Sequence, residues 1–169
     1  MATVKFLNAA GKYDDPGARR DVLNYIFRRD KTPSALIIGC PVDPSMAAEQ
    51  MRSVAEFYHK DNKVRIRHFV ISFYRNEQLT MVQLDGLAQD ICREIGREYQ
   101  IVCALHEDTA SPHIHFVFNP VSYVDGHKYS GTREEHRALK DLLRQCVGRF
   151  GIRVFYEVKY RPAGNEPHE

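Results

Sequence analysis

Apolar positions recur with two periods along this chain, and the switches between them divide it into elements. After Asp14-Asp15-Pro16, an acidic cap with proline in the first turn, the spacing predicts a helix over residues 18–29. Its apolar stripe is Val22, Leu23, Ile26 and Phe27, and Tyr25 falls off that stripe, on the side of Asp21, Arg28 and Arg29. Lys31-Thr32-Pro33 stops the helix, because a residue before proline avoids the helical region. SALIIGC then reads as a buried strand, and Pro44-Ser45 opens a second helix to about His59. VRIRHFVISFYR alternates with the two-residue period of a strand: Lys63, Arg65, Arg67 and Phe69 oppose Val64, Ile66, His68 and Ser72. A third helix follows Thr80 to about Tyr99, and a fourth runs from about Thr132 to Phe150, ended by Gly151. TVKFL could add an edge strand at the start, Asp125-Gly126 predicts a small projecting hairpin, and IRVFYEVKY is the last strand before a polar tail from about residue 161. About five strands with four helices, strand pairs linked by helical crossovers, predict an α+β sandwich of ferredoxin-like type. Its sheet should be mainly antiparallel and flanked by helices.

The stretch IVCALHEDTASPHIHFVFNPV, residues 101–121, carries the candidate chemistry. Two apolar runs flank a polar connection, as in an antiparallel hairpin. On the second run His113, His115 and Asn119 share one face, while Ile114, Phe116 and Phe118 take the other. His106 arrives across the hairpin. Three imidazoles converging from a sheet make a metal site with open coordination positions, which catalytic sites keep and structural tetrahedral sites lack. An isolated His-x-His pair is more often a partly exposed strand face; the third histidine, Pro112 at the loop exit and the acidic Glu107-Asp108 pair favour the metal. Carboxylates there could hold the second ring nitrogen of a ligand histidine.

Composition changes little. The 169 residues suit one domain, with no linker, repeat or apolar run of membrane-spanning length, and the expectation is a cytoplasmic protein. Cys40, Cys92, Cys103 and Cys146 lack the pairing of a zinc knuckle and read as reduced core residues. With 24 basic against 22 acidic residues, bulk charge does not announce a nucleic-acid binder, so local clusters must carry that reading.

Three blocks in order along the chain resemble the relaxase, or mobilization nuclease, domain of conjugative plasmids and transposons, within the HUH (histidine, hydrophobe, histidine) endonucleases. They are NYIFRRDKT with Tyr25, RHFVISFYRNE with His68 and Ser72, and HEDTASPHIHFVFNPV with the three histidines. The resemblance implies an HUH-type sandwich that nicks and rejoins one DNA strand at a transfer origin. Tyr25 would be the nucleophile and His106, His113 and His115 would hold a divalent metal, magnesium or manganese by the family and zinc or nickel by ligand type. It implies single-stranded DNA as partner, with accessory mobilization proteins and no membrane.

Around that centre the residues suggest further roles. Asp108 would orient a ligand, and His68 would carry a proton or contact a phosphate. Arg28 and Arg29 would favour the Tyr25 phenolate and, with Arg65, Arg67, Ser72 and Asn119, would hold DNA. Rolling-circle initiators share the histidine pair but place their tyrosine on a later helix; the segment 132–150 has none, which favours the relaxase order. A non-catalytic origin-binding protein of the same fold is the alternative, and a metal hydrolase using activated water a weaker one.

Overall fold

The computed structural model describes residues 1–9, 11–28, 30, 36–74, 77–107 and 111–157. In chain order these form β1 (Ala2–Leu7), α1 (Ala18–Ile26), β2 (Ile37–Cys40), α2 (Ala47–Phe57), β3 (Arg67–Phe73), α3 (Met81–Ile95), β4 (Ile101–His106), β5 (His113–Phe118), α4 (Arg133–Gly148) and β6 (Val154–Tyr156). The α+β expectation holds. The sheet has six strands rather than five, in the order β2-β4-β5-β3-β1-β6, and every pairing is antiparallel except β1 with β6. TVKFL is therefore not an edge. It lies between β3 and β6 with Ala2 and Val4 buried, so both sides of its backbone are hydrogen-bonded.

Two apolar cores lie on opposite faces of this sheet. On one, α3 and α4 cover Phe69, Ile71, Phe73, Ile114, Phe116 and Phe118. On the other, α1 and α2 bring Val22, Leu23, Ile26 and Met51 against Ile66, Val102, Ala104 and Val117. Residues opposite one another in an antiparallel pair share a face. The register pairs His106 with His113, His115 with both Ala104 and Val70, and Ser72 with His113, so the three histidines, His68 and Ser72 all belong to the α1/α2 face.

Helix starts follow their caps. Thr80 and Thr132 each accept from the backbone N–H three residues on, Gln83 and Glu135, whose side chains reach back to the cap. At α1 the Asp15 carboxylate accepts from the Gly17 N–H at 2.7 Å instead of capping from within, and the helix begins at Ala18. α1 also stops three residues short of the predicted Arg29. At the end of this helix His106 Nε2 reaches the Ile26 carbonyl at 2.8 Å. β3 starts later than its alternation predicts because Lys63 sits at φ 49°, a left-handed conformation incompatible with a strand. The segment around Gly126 (φ +74°) does not project. It folds back so closely that a Cβ there would lie 2.2 Å from the Tyr58 ring, and a single bridge, Val121 to Lys128, closes it. The cysteines are free thiols, and no helix among the described residues is long and apolar enough to cross a membrane.

Candidate active site

β4 and β5 deliver His106, His113 and His115 so that one nitrogen from each ring lies within 4.8 Å of the others. The hydrogen bonds made by the remaining nitrogens decide which ones face inward. His106 Nε2 donates to the Ile26 carbonyl, leaving the lone pair on its buried Nδ1. His113 Nδ1 donates to the Ser111 carbonyl at 3.2 Å, leaving the lone pair on Nε2. His115 Nδ1 lies 2.8 Å from His68 Nε2, and His68 Nδ1 lies 3.2 Å from the Tyr13 hydroxyl. When His115 Nδ1 donates along this chain, its buried Nε2 carries the lone pair and His68 passes its own N–H to Tyr13. In that arrangement each ring turns a lone pair inward, the donor state a cation requires.

His68 is 3% exposed. Burial first, then the charges of Lys12 and His106, pulls its pKa from 6.5 down to about 3, so it stays neutral. Burial, with a smaller contribution from Tyr25, pushes the Tyr13 phenol up to about 12. Both properties suit a proton-bearing support for His115. His68 is therefore enclosed behind His115 instead of lying exposed beside the three histidines.

Tyr25, in the last turn of α1, is 39% exposed. Its ring meets His106 and His115 edge-on, with centroids 6.0 and 5.6 Å away. Lys12 Nζ lies 5.5 Å from the Tyr25 ring centroid and 5.8 Å from that of Tyr13. Sequence reasoning missed both Lys12 and Tyr13. Nothing in their spacing links them to the histidines; only the approach of the segment before α1 to the start of β3 does so.

The other expected site residues divide. Ser72 is partly exposed on the histidine face, directly across from His113. Arg28 is exposed and forks onto Asp30 at 2.8 and 3.1 Å. It lies beyond the end of α1, so it shares no helix face with Tyr25. Arg29 and Asp108 lie outside the described residues. Glu107 is exposed, and among the described residues the second ring nitrogens of the histidines meet the Ile26 and Ser111 carbonyls and His68.

Three residues expected to hold DNA beside Tyr25 lie elsewhere. Asn119 does share the histidine face, but it is 0% exposed: its amide donates to the Met51 carbonyl and to Gln100 Oε1, both at 3.0 Å, while its oxygen accepts from the Val121 N–H. All its hydrogen-bonding capacity goes into fixing the exit of β5 against α2. Arg65 spends its guanidinium on the carbonyls of Asp14, Lys63 and Asp61 and on the Asp61 carboxylate. Arg67 pairs with Phe118 in the register and so points to the α3/α4 side, away from the histidines. No single basic stripe joins Arg65 and Arg67 to the Tyr25 region.

Comparison with known proteins agrees with this arrangement. The sequence matches the relaxase family described as MobA/VirD2-like, nuclease domain, over residues 25–152, three quarters of the chain. A Staphylococcus aureus protein, Protein rlx, is 26% identical over 132 residues, which cover 78% of this chain and 40% of the relative. Protein TraI of Escherichia coli is 30% identical over 86 residues, covering 50% of this chain and 11% of that one. The chain thus spans about two fifths of the staphylococcal relative it matches. Among solved structures, the MobM relaxase domain bound to plasmid pMV158 oriT DNA, in a manganese-bound crystal, superposes with a TM-score of 0.63 at 14% identity over 98% of this chain and 94% of that one. A second crystal of that domain gives 0.62 at 16% identity, over 99% and 93%. With the matched stretch running from Tyr25 through all three histidines and across α4, the chain belongs to the relaxase family, as a MobA/VirD2-like nuclease domain.

Proposed function

We propose that this domain nicks and rejoins one DNA strand at a transfer origin, with Tyr25 as nucleophile and a divalent cation held by His106, His113 and His115. The observation that carries this reading is the Tyr25 ring, open to solvent on one side and edge-on to two histidines on the other. The donor set fits a cation because the partners of the other three ring nitrogens leave each inward nitrogen its lone pair. Manganese or magnesium is the expected ion, in line with the manganese-bound MobM crystals, and an all-imidazole set also accepts zinc or nickel. A bound cation would supply Lewis-acid charge to the non-bridging oxygens and orient the phosphate.

The chain's own residues do the rest. The Tyr25 oxygen attacks phosphorus in line; an O–P bond forms, the bond to the 3′ oxygen breaks, the phenol gives up its proton and the departing oxygen gains one. The products are a 5′-phosphotyrosyl protein and a free 3′-hydroxyl, and the reverse attack reseals the strand. The Lys12 ammonium, 5.5 Å from the Tyr25 ring centroid, offers a positive charge to the phosphate. Ser72, beside His113, contacts a phosphate, and Arg28 offers a second cation past the end of α1. His68 is a positioning residue. The domain acts on single-stranded DNA in the cytoplasm, with accessory mobilization proteins as further partners.

A single-stranded oligonucleotide bearing an origin sequence and a 3′ label tests this. With manganese, the label should migrate with denatured protein; Tyr25→Phe should lower that signal about a thousandfold or more, and chelation should abolish it. An undiminished adduct in Tyr25→Phe, or cleavage with no adduct at all, would sink the proposal, the second outcome pointing to activated water.

A further inference from the structure

At the end of the sheet where β1 stops and β3 starts, a cavity of about 410 Å³ opens beside the first turns of α4, lined by Arg67, Phe69 and Phe118 and bordered by His68. Arg67, Arg133 and His136 supply its basic groups, and Phe6 and Tyr129 its aromatic walls. No carboxylate side chain lines it among the described residues, and neither arginine forms an ion pair there. Arg67 is half-buried, with its guanidinium 5.4 Å from the Tyr129 ring and one hydrogen bond of 3.3 Å to the Tyr129 carbonyl. Its Nε is sealed from solvent without a hydrogen-bond partner, and so is the Tyr129 hydroxyl, on a residue only 8% exposed. The half-buried guanidinium has no ion pair among the described residues, with Glu135 acting on it only at longer range, and an anion in the cavity would supply the missing partner. Phe6 and His136 meet with centroids 4.4 Å apart, so a flat ring system has a platform beside the cations.

We propose that this cavity binds a phosphate-bearing nucleotide, with the phosphate on Arg67 and Arg133 and the base against Phe6 and His136. Its volume lies within the roughly 300–1,000 Å³ of small-molecule sites. The ligand is either a free mononucleotide or one nucleotide of a single strand, and both carry the same recognised chemistry. The cavity borders the Tyr25 centre at His68, but neither Tyr25 nor any of His106, His113 and His115 lines it, and the phosphate and base are assigned to other residues.

The test titrates the chelator-treated full chain with thymidine 5′-monophosphate and with 5′-phosphorylated hexathymidylate. Binding is followed by calorimetry and by the NMR signals of the Gly131 amide and the His136 ring. Both ligands should shift those signals. Arg67→Met and Arg133→Gln should each weaken binding about tenfold, the loss of one charged hydrogen bond, while Tyr25→Phe leaves it unchanged. Arg133 is exposed, so its variant reports on the site even if the Arg67 variant unfolds. A hexanucleotide about tenfold tighter than the monophosphate identifies a strand as the source; equal affinities identify a free nucleotide. Unshifted signals at millimolar ligand, or unchanged binding in the Arg133 variant, would overturn the proposal, and inorganic phosphate binding as well as the monophosphate would overturn the nucleotide assignment.

Discussion

The two faces of one sheet are built from alternate residues of the same strands, yet they do opposite work. The α3/α4 face interlocks large side chains: Phe69 and Phe116 stack with centroids 4.9 Å apart and planes within 9°, and both are fully buried. The α1/α2 face sets small or β-branched residues, Val102, Ala104 and Val117, beside imidazoles. The difference teaches that the polar cluster is tolerable because the other side of each strand is anchored by aromatics. The imidazoles, in turn, are fixed by directional hydrogen bonds rather than by volume.

Three substitutions probe that contrast, in descending order of effect. Phe116→Ala should cost about 3–5 kcal/mol of folding stability in denaturant titration, since a ring fully enclosed by packed neighbours leaves a cavity. A loss below about 1 kcal/mol would mean that the aromatic face is not the anchor. His68→Gln should weaken manganese or cobalt binding about 10–100-fold by calorimetry and alter the cobalt visible spectrum, with a much smaller loss of stability than Phe116→Ala. Unaltered metal affinity in a folded His68→Gln would reduce that histidine to a filler of its face. Tyr13→Phe removes only the far end of the relay, and a fall of about two- to fivefold in metal affinity is expected, the worth of one neutral hydrogen bond. A larger effect there than at His68 would reverse the assigned direction of the chain.

Much of this was legible in the chain itself. The period-two alternation at 113–118 gave the shared face of two histidines, and the apolar stripe of α1 left Tyr25 outside the core, where the structure has it. Thr80 and Thr132 announced their helices because a capping box is local chemistry. What could not be read depends on contacts distant in sequence. Asn119 has the right parity for the site, but the turn after β5 carries it under α2, where Met51 and Gln100 use it up. Arg67 has the opposite parity, as its own alternation implied, and grouping it with Arg28 by charge alone ignored the pleat. His68 gained its meaning from Tyr13, 55 positions earlier. β1 became an interior strand only because β6 returns to pair with it.

The bond from His106 to the Ile26 carbonyl joins a proposed metal ligand to the residue that follows the proposed nucleophile. Under the proposed function, what stiffens one stiffens the other, so cation occupancy and the seating of the phenol would be thermodynamically linked, each raising the other by the same factor. Loosening the end of that helix would then be felt as weaker metal retention, and stripping the metal as a wandering tyrosine.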